Sequence, residues 1–168
     1  MLGTAPDMGI EENLAMAYRR GKTRGIGWGI SGRERKIYRE VLARLDLGLE
    51  DRLSTKVGLL SGGQRQALTL TMATLQKPEL LLLDEHTAAL DPKTAKKVLD
   101  LTNDIVEEQQ ITTLMITHNM KDAIRTGNRL IMMYDGQIIF DIEGEEKKNL
   151  KTSDLLEKFE TVTQGEFA

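Results

Sequence analysis

The chain has 168 residues, 40% of them apolar and 29% charged, with a net charge of −3 and no cysteine. That leaves room for one domain with a sizeable core and describes an ordinary soluble globular protein. It gives no electrostatic case for nucleic acid as a partner, and it excludes disulfides and thiolate metal sites while allowing a reducing compartment. The apolar run Leu80 to Leu83, like every other in the sequence, is far too short to span a bilayer, so any membrane role has to come through a partner. The N-terminus lacks the basic-then-apolar order of a secretory signal.

Glu11 to Arg20 has helical periodicity, with Leu14, Ala15 and Tyr18 on one side. A glycine-rich stretch follows. Ser31 is placed to cap a second helix running to about Leu45, with Ile37, Val41, Leu42 and Leu45 as its apolar stripe. A polar connector, 46–57, leads to Leu60-Ser61-Gly62-Gly63-Gln64, where a third helix begins and runs to Gln76-Lys77-Pro78. Glu79 to Asp84 (ELLLLD) is an apolar run of strand length, suited to burial on both faces.

Asp91-Pro92 opens a helix to about Gln109, with proline at its favoured first position. Ile111 to Thr117 is β-branched and strand-like, and Asn119 can cap a brief helix after it. Arg129 to Tyr134 and Gln137 to Asp141 are strands joined by Asp135-Gly136, a hairpin turn signal. A polar stretch (EGEEKKN) precedes a last helix near Ser153 to Phe159. Strand–helix–strand order predicts an α/β fold with a mostly parallel sheet, a right-handed crossover and a hairpin at one edge. No internal repeat or low-complexity tract is present.

The stretch RRGKTRGIGWGISG, residues 19 to 32, imitates two nucleotide-binding fingerprints. A P-loop, however, needs a glycine at position 16, which is Met16, and a buried strand leading in. The residues before it are helical in period, so the stretch reads as a flexible surface loop. Its basic cluster, Arg19, Arg20, Lys22, Arg24, Arg33, Arg35 and Lys36, is either a solvated face or a contact for phospholipid headgroups or a coupling segment.

LSGGQRQ, residues 60–66, sits where a loop becomes a helix. Ser61 and the N–H groups of Gly62 and Gly63 suit a phosphate anion at a helix N-terminus, or simply form a serine-capped helix end. Asp84 and Glu85 stand at a strand's C-terminal end, where open α/β sheets bind ligands. Either Asp84 holds a hydrated Mg²⁺ and Glu85 activates a water, or both are solvated acids or helix caps. His118, at the next strand's end, is a structural histidine or a contact for a γ-phosphate or the water.

LSGGQ, LLLLDE, TAALD and THN, in that order, resemble the ATP-binding subunits of ABC transporters. Each motif alone is weak or moderate; the ordered set is highly specific, and the resemblance covers nearly the whole chain. The resemblance implies a P-loop NTPase-like fold, incomplete here, divided into a helical signature subdomain (1–78) and the C-terminal part of an ATPase core (79–168). It implies nucleotide contacts at Ser61, Gly62, Gly63, Gln64 and Asp91, a metal-holding Asp84, a catalytic Glu85 and a switch histidine at His118. ATP and Mg²⁺ are the implied cofactors. The implied partners are a second ATP-binding subunit, transmembrane permease subunits and a substrate-binding protein, at the inner face of the cell membrane. A soluble ABC-type ATPase of repair or translation, and a non-catalytic module donating only its signature loop, are the alternatives.

Two residues depart from that family's pattern. His86 stands where proline is common and is expected to matter little; Ala88 stands where serine is common and removes a hydroxyl from the loop facing the partner subunit. The sequence also holds no P-loop, no adenine-stacking aromatic before one and no Q-loop glutamine. It therefore reads as lacking the first part of such a domain. Negligible ATPase activity alone, and an association-prone Leu80 to Leu83 strand, are the expected consequences.

Overall fold

A computed structural model describes residues 3–21 and 29–165. Lys22 to Trp28, the centre of the glycine-rich stretch and of its P-loop-like triplet, lies outside the described residues. The chain forms two compact units, Met1–Met115 and Ile116–Ala168. The boundary expected at 78/79 falls within the first.

The first unit opens with helices α1 (Ile10–Tyr18), α2 (Gly32–Ala43) and α3 (Gly62–Thr74). Ile10, Leu14, Leu42, Leu49, Val57 and Leu68 are fully buried among them and form the main core. Ser31 caps α2 by accepting from Glu34 N, while Glu34 reaches back to the Ser31 backbone, a capping box that fixes where the helix starts. The aromatic residue of α2, Tyr38, is fully buried and meets the Tyr18 ring edge-to-face with centroids 6.1 Å apart. Burial of the ring pushes its hydroxyl pKa up to about 12.

Asn13 is the polar pivot of this core. Its side chain is wholly buried, accepts from Ala5 N at 2.8 Å and donates to the carbonyls of Ala5 and Gly9 at 3.1 and 2.9 Å. Segment 5–11 is then laced to 53–58 through Ile10 N to Thr55 O, Val57 N to Met8 O and Gly58 N to Pro6 O. A 3₁₀ turn, Val57–Leu59, follows and delivers the chain directly to Ser61.

Strand β1 (Leu80–Asp84), helix α4 (Pro92–Gln109) and strand β2 (Thr112–Ile116) complete the α/β part, with β1 and β2 adjacent in a small parallel sheet. Asp91 caps α4 and Pro92 takes its first position, as the sequence predicts. A second apolar cluster packs Leu81 with Leu70, Ile105 and Ile111. The expectation that β1 is buried on both faces is corrected: Leu81 is 5% exposed but Leu80 and Leu82 are 51% and 65% exposed. Helices cover one face only, so burial alternates with the pleat.

The second unit holds α5 (Met120–Arg125), the antiparallel hairpin β3 (Arg129–Tyr134) and β4 (Gln137–Glu143), α6 (Gly144–Lys148) and α7 (Thr152–Gly165). Asp135 and Gly136 both have positive φ, 47° and 74°, as a two-residue primed turn requires. The hairpin forms a sheet of its own, and its register includes a bulge between Met132 and Met133. Helix α6 occupies the stretch EGEEKKN that reads from sequence as a polar connector. Among the described residues, no helix is long and apolar enough to cross a membrane.

Candidate functional site

Ser61 caps α3 through a reciprocal pair: Gln64 N donates to Ser61 Oγ at 3.3 Å, and Ser61 N donates to Gln64 Oε1 at 3.1 Å. The Gln64 amide also donates to Leu47 O at 3.3 Å, which anchors the loop to the preceding connector. Ser61 and Gly62 are exposed while Gly63 is buried. The exposed edge of this helix start therefore carries the serine hydroxyl proton and the backbone N–H groups at the positive end of the helix dipole.

Gly63 is glycine for a packing reason. A β-carbon there would lie 2.1 Å from Thr94 Cγ2, far inside contact distance. One at Gly62 would lie 3.5 Å from Leu90 Cδ2. The glycine loop thus rests on the TAALD segment and on the first turn of α4. Asp91 holds that turn by accepting from Thr94 N at 3.1 Å. Hydrogen bonds from the Thr94 side chain and backbone keep the Asp91 carboxyl below its ordinary pKa, so it stays ionised as the cap.

Asp84 is the last residue of β1, and Glu85 follows at once; both are exposed. Glu85 has φ 43°, the left-handed region that side chains with a β-carbon rarely occupy, at a cost of about 1–3 kcal/mol. The turn beyond it is closed by Ala88 N donating to Glu85 O at 3.0 Å. Among the described residues, no group of three or more His, Cys, Asp or Glu forms a metal cage. A single exposed carboxylate suits Mg²⁺, which keeps several waters and takes its remaining oxygens from phosphates.

In the second unit, His118 is exposed and directly precedes the cap of α5. Asn119 Oδ1 accepts from Lys121 N and Asp122 N at 3.0 and 3.4 Å, and Thr117 Oγ1 accepts from Asn119 N at 3.1 Å. The far end of α5 is held by Lys147, only 3% exposed, whose ammonium donates to the carbonyls of Ile124, Thr126 and Gly127. Burial lowers the Lys147 pKa. Sequence reading passed over Lys147, because a lysine inside EEKKN carries no local sign of burial. Of the basic cluster near the glycine-rich stretch, Arg19 pairs with Glu34 and Arg35 with Glu11.

The sequence model of the ABC transporter family matches residues 3–88. The chain is 47% identical over 159 residues to a tyrosine transport ATP-binding protein of Clostridioides difficile, covering 95% of this chain and 63% of that protein. It is 34% identical over 139 residues to a thiamine import ATP-binding protein of Salmonella choleraesuis, covering 83% of this chain and 56% of that protein. Its fold matches the dimeric ATP-binding cassette MJ0796, solved in a post-hydrolysis state with ADP and Pi. The TM-score is 0.67 at 31% identity, covering 84% of this chain and 59% of that one. The chain thus spans less than two thirds of the length of each of these proteins.

Proposed function

Because this chain belongs to the ABC transporter family, we propose that it serves as the ATP-binding and ATP-hydrolysing part of a membrane importer. The observation that carries this reading is Glu85, an exposed carboxylate held in left-handed backbone directly after Asp84 at the end of β1. In this reading residues 1–78 are the signature subdomain and 79–168 belong to the ATPase core.

Glu85 orients a water and takes its proton as the water oxygen attacks the γ-phosphorus. The bond from that phosphorus to the β–γ bridging oxygen breaks, giving ADP and inorganic phosphate. Asp84 would hold Mg²⁺, which when bound would supply positive charge to offset the charge of the phosphates. His118 contacts the γ-phosphate or the water. Ser61 and Gly62 serve the nucleotide of a second ATP-binding subunit, their donors aimed outward from α3. Gly63, Gln64 and Asp91 fix the shape of the surface that meets it. Dimer closure on ATP and reopening after hydrolysis then drive permease subunits at the inner face of the membrane, fed by a substrate-binding protein.

The test is ATP hydrolysis by the full-length protein carrying this chain. Glu85→Gln lowers turnover by roughly 10²–10⁴-fold while ATP binding persists. Undiminished turnover removes Glu85 as the base, and a wild-type protein that hydrolyses no ATP removes the reading.

A further inference from the structure

His86 has a defined partner that the sequence does not suggest. Its Nε2 lies 3.1 Å from the hydroxyl oxygen of Thr102, a residue of α4 that is 2% exposed. The Thr102 hydroxyl gives its own proton to Val98 O at 2.8 Å. With that single proton engaged, the threonine oxygen accepts, and His86 must donate from Nε2. The imidazole is therefore fixed in one orientation, tied to the buried side of α4.

The tie acts on the residue next door. Glu85 leaves β1 in left-handed backbone, and the turn that follows is closed by the bond from Ala88 N to Glu85 O. A residue with a β-carbon stays in that region only when its surroundings hold it there. One end of the turn is fixed by β1. Within the turn, His86, its second residue, is tied to α4, which is anchored by its own core residues, Val98, Leu99 and Ile105.

We propose that His86 is a positioning residue for Glu85: its hydrogen bond to Thr102 holds the strand-end turn in the conformation that presents the Glu85 carboxylate. His86 acts through backbone geometry and touches no reacting atom. In departure from the expectation that histidine at this position matters little, its side-chain hydrogen bond is assigned to holding the turn. The proposal rests on the reading of Glu85 as the base.

The experiment compares His86→Ala, His86→Gln, Thr102→Val and the His86→Ala/Thr102→Val pair in the full-length protein, beside Glu85→Gln. Thr102→Val keeps the buried shape and removes the hydroxyl, the acceptor for His86 and a second donor to Val98 O, while the backbone bonds of α4 remain, so the protein still folds. His86→Ala and Thr102→Val should each lower kcat roughly ten- to hundredfold with KM for ATP unchanged. The pair should lose no more than either alone, and His86→Gln, whose amide reaches a similar position, should recover part of the loss. Additive losses overturn the inference, as does an unchanged kcat in His86→Ala when Glu85→Gln abolishes turnover. If Glu85→Gln leaves turnover intact, Glu85 is not the base, and a second readout still decides the inference. Backbone scalar couplings of Glu85 report positive φ; they should move away from it in His86→Ala, and unchanged couplings overturn the proposal.

Discussion

Thr94 occupies the space that any side chain at position 63 would need: its Cγ2 stands 2.1 Å from where a Gly63 β-carbon would be. Gly63→Ala should therefore force α3 and α4 apart or twist Thr94 from its rotamer, at about 1–3 kcal/mol. Thr94→Ser removes the clashing methyl and leaves Thr94 Cβ, at 3.5 Å, as the nearest atom. The double variant should recover most of the lost stability, read as the midpoint of denaturant unfolding. If the serine gives no recovery, the glycine is not there for this contact.

Asn13 satisfies four backbone groups of segment 5–9 from inside the core, one donor and three carbonyls. Asn13→Ala leaves the Ala5 N–H without its acceptor and should cost about 2–3 kcal/mol, since unpaired buried groups lose their full desolvation energy. Because the same segment is laced to 53–58, amide exchange should accelerate at Ala5, Val57 and Gly58 together. Acceleration confined to Ala5 would show that the lacing is independent of Asn13.

Glu34 accepts from Ser31 N at 2.7 Å, from Ser31 Oγ at 2.9 Å and from both Arg19 Nε and Nη2. The Ser31 backbone bond is the leading cause of a pKa below the ordinary 4.5. A depressed carboxyl pKa stabilises the fold above the unfolded value and loses that contribution as pH falls through the folded one. The start of α2 should therefore loosen only on the acid side of about pH 4.5, and Glu34→Gln should remove this acid-dependent step. Side-chain carbon shifts of Glu34 followed through an acid titration check it; a midpoint at or above 4.5 contradicts it.

Helix starts were the most legible feature, because a cap is a local event. Ser31, Ser61, Asp91 and Asn119 each announce a helix by side-chain chemistry that acts within three residues, and each caps one. The hairpin turn at Asp135-Gly136 was legible for the same reason. What was not legible depends on distant partners. ELLLLD carries no sign of which face a helix will cover, and Tyr38 falls outside an aliphatic stripe although it is the largest fully buried side chain among the described residues. The site divides the same way. The order of its motifs was readable, but the reason for Gly63 lies 31 residues away in Thr94, and the partner of His86 lies across α4.

The half-covered sheet has a colloidal consequence. Leu80, Leu82 and Leu114 present apolar surface at 51%, 65% and 55% exposure along the open face of β1 and β2. Attraction between such faces arises from water rather than from charge, so it strengthens on warming and in sulfate and responds little to screening by simple salt. With a net charge of only −3 to oppose it, the osmotic second virial coefficient of the chain should turn negative as temperature rises. Solutions of this chain by itself are then best kept cold, dilute and free of salting-out anions.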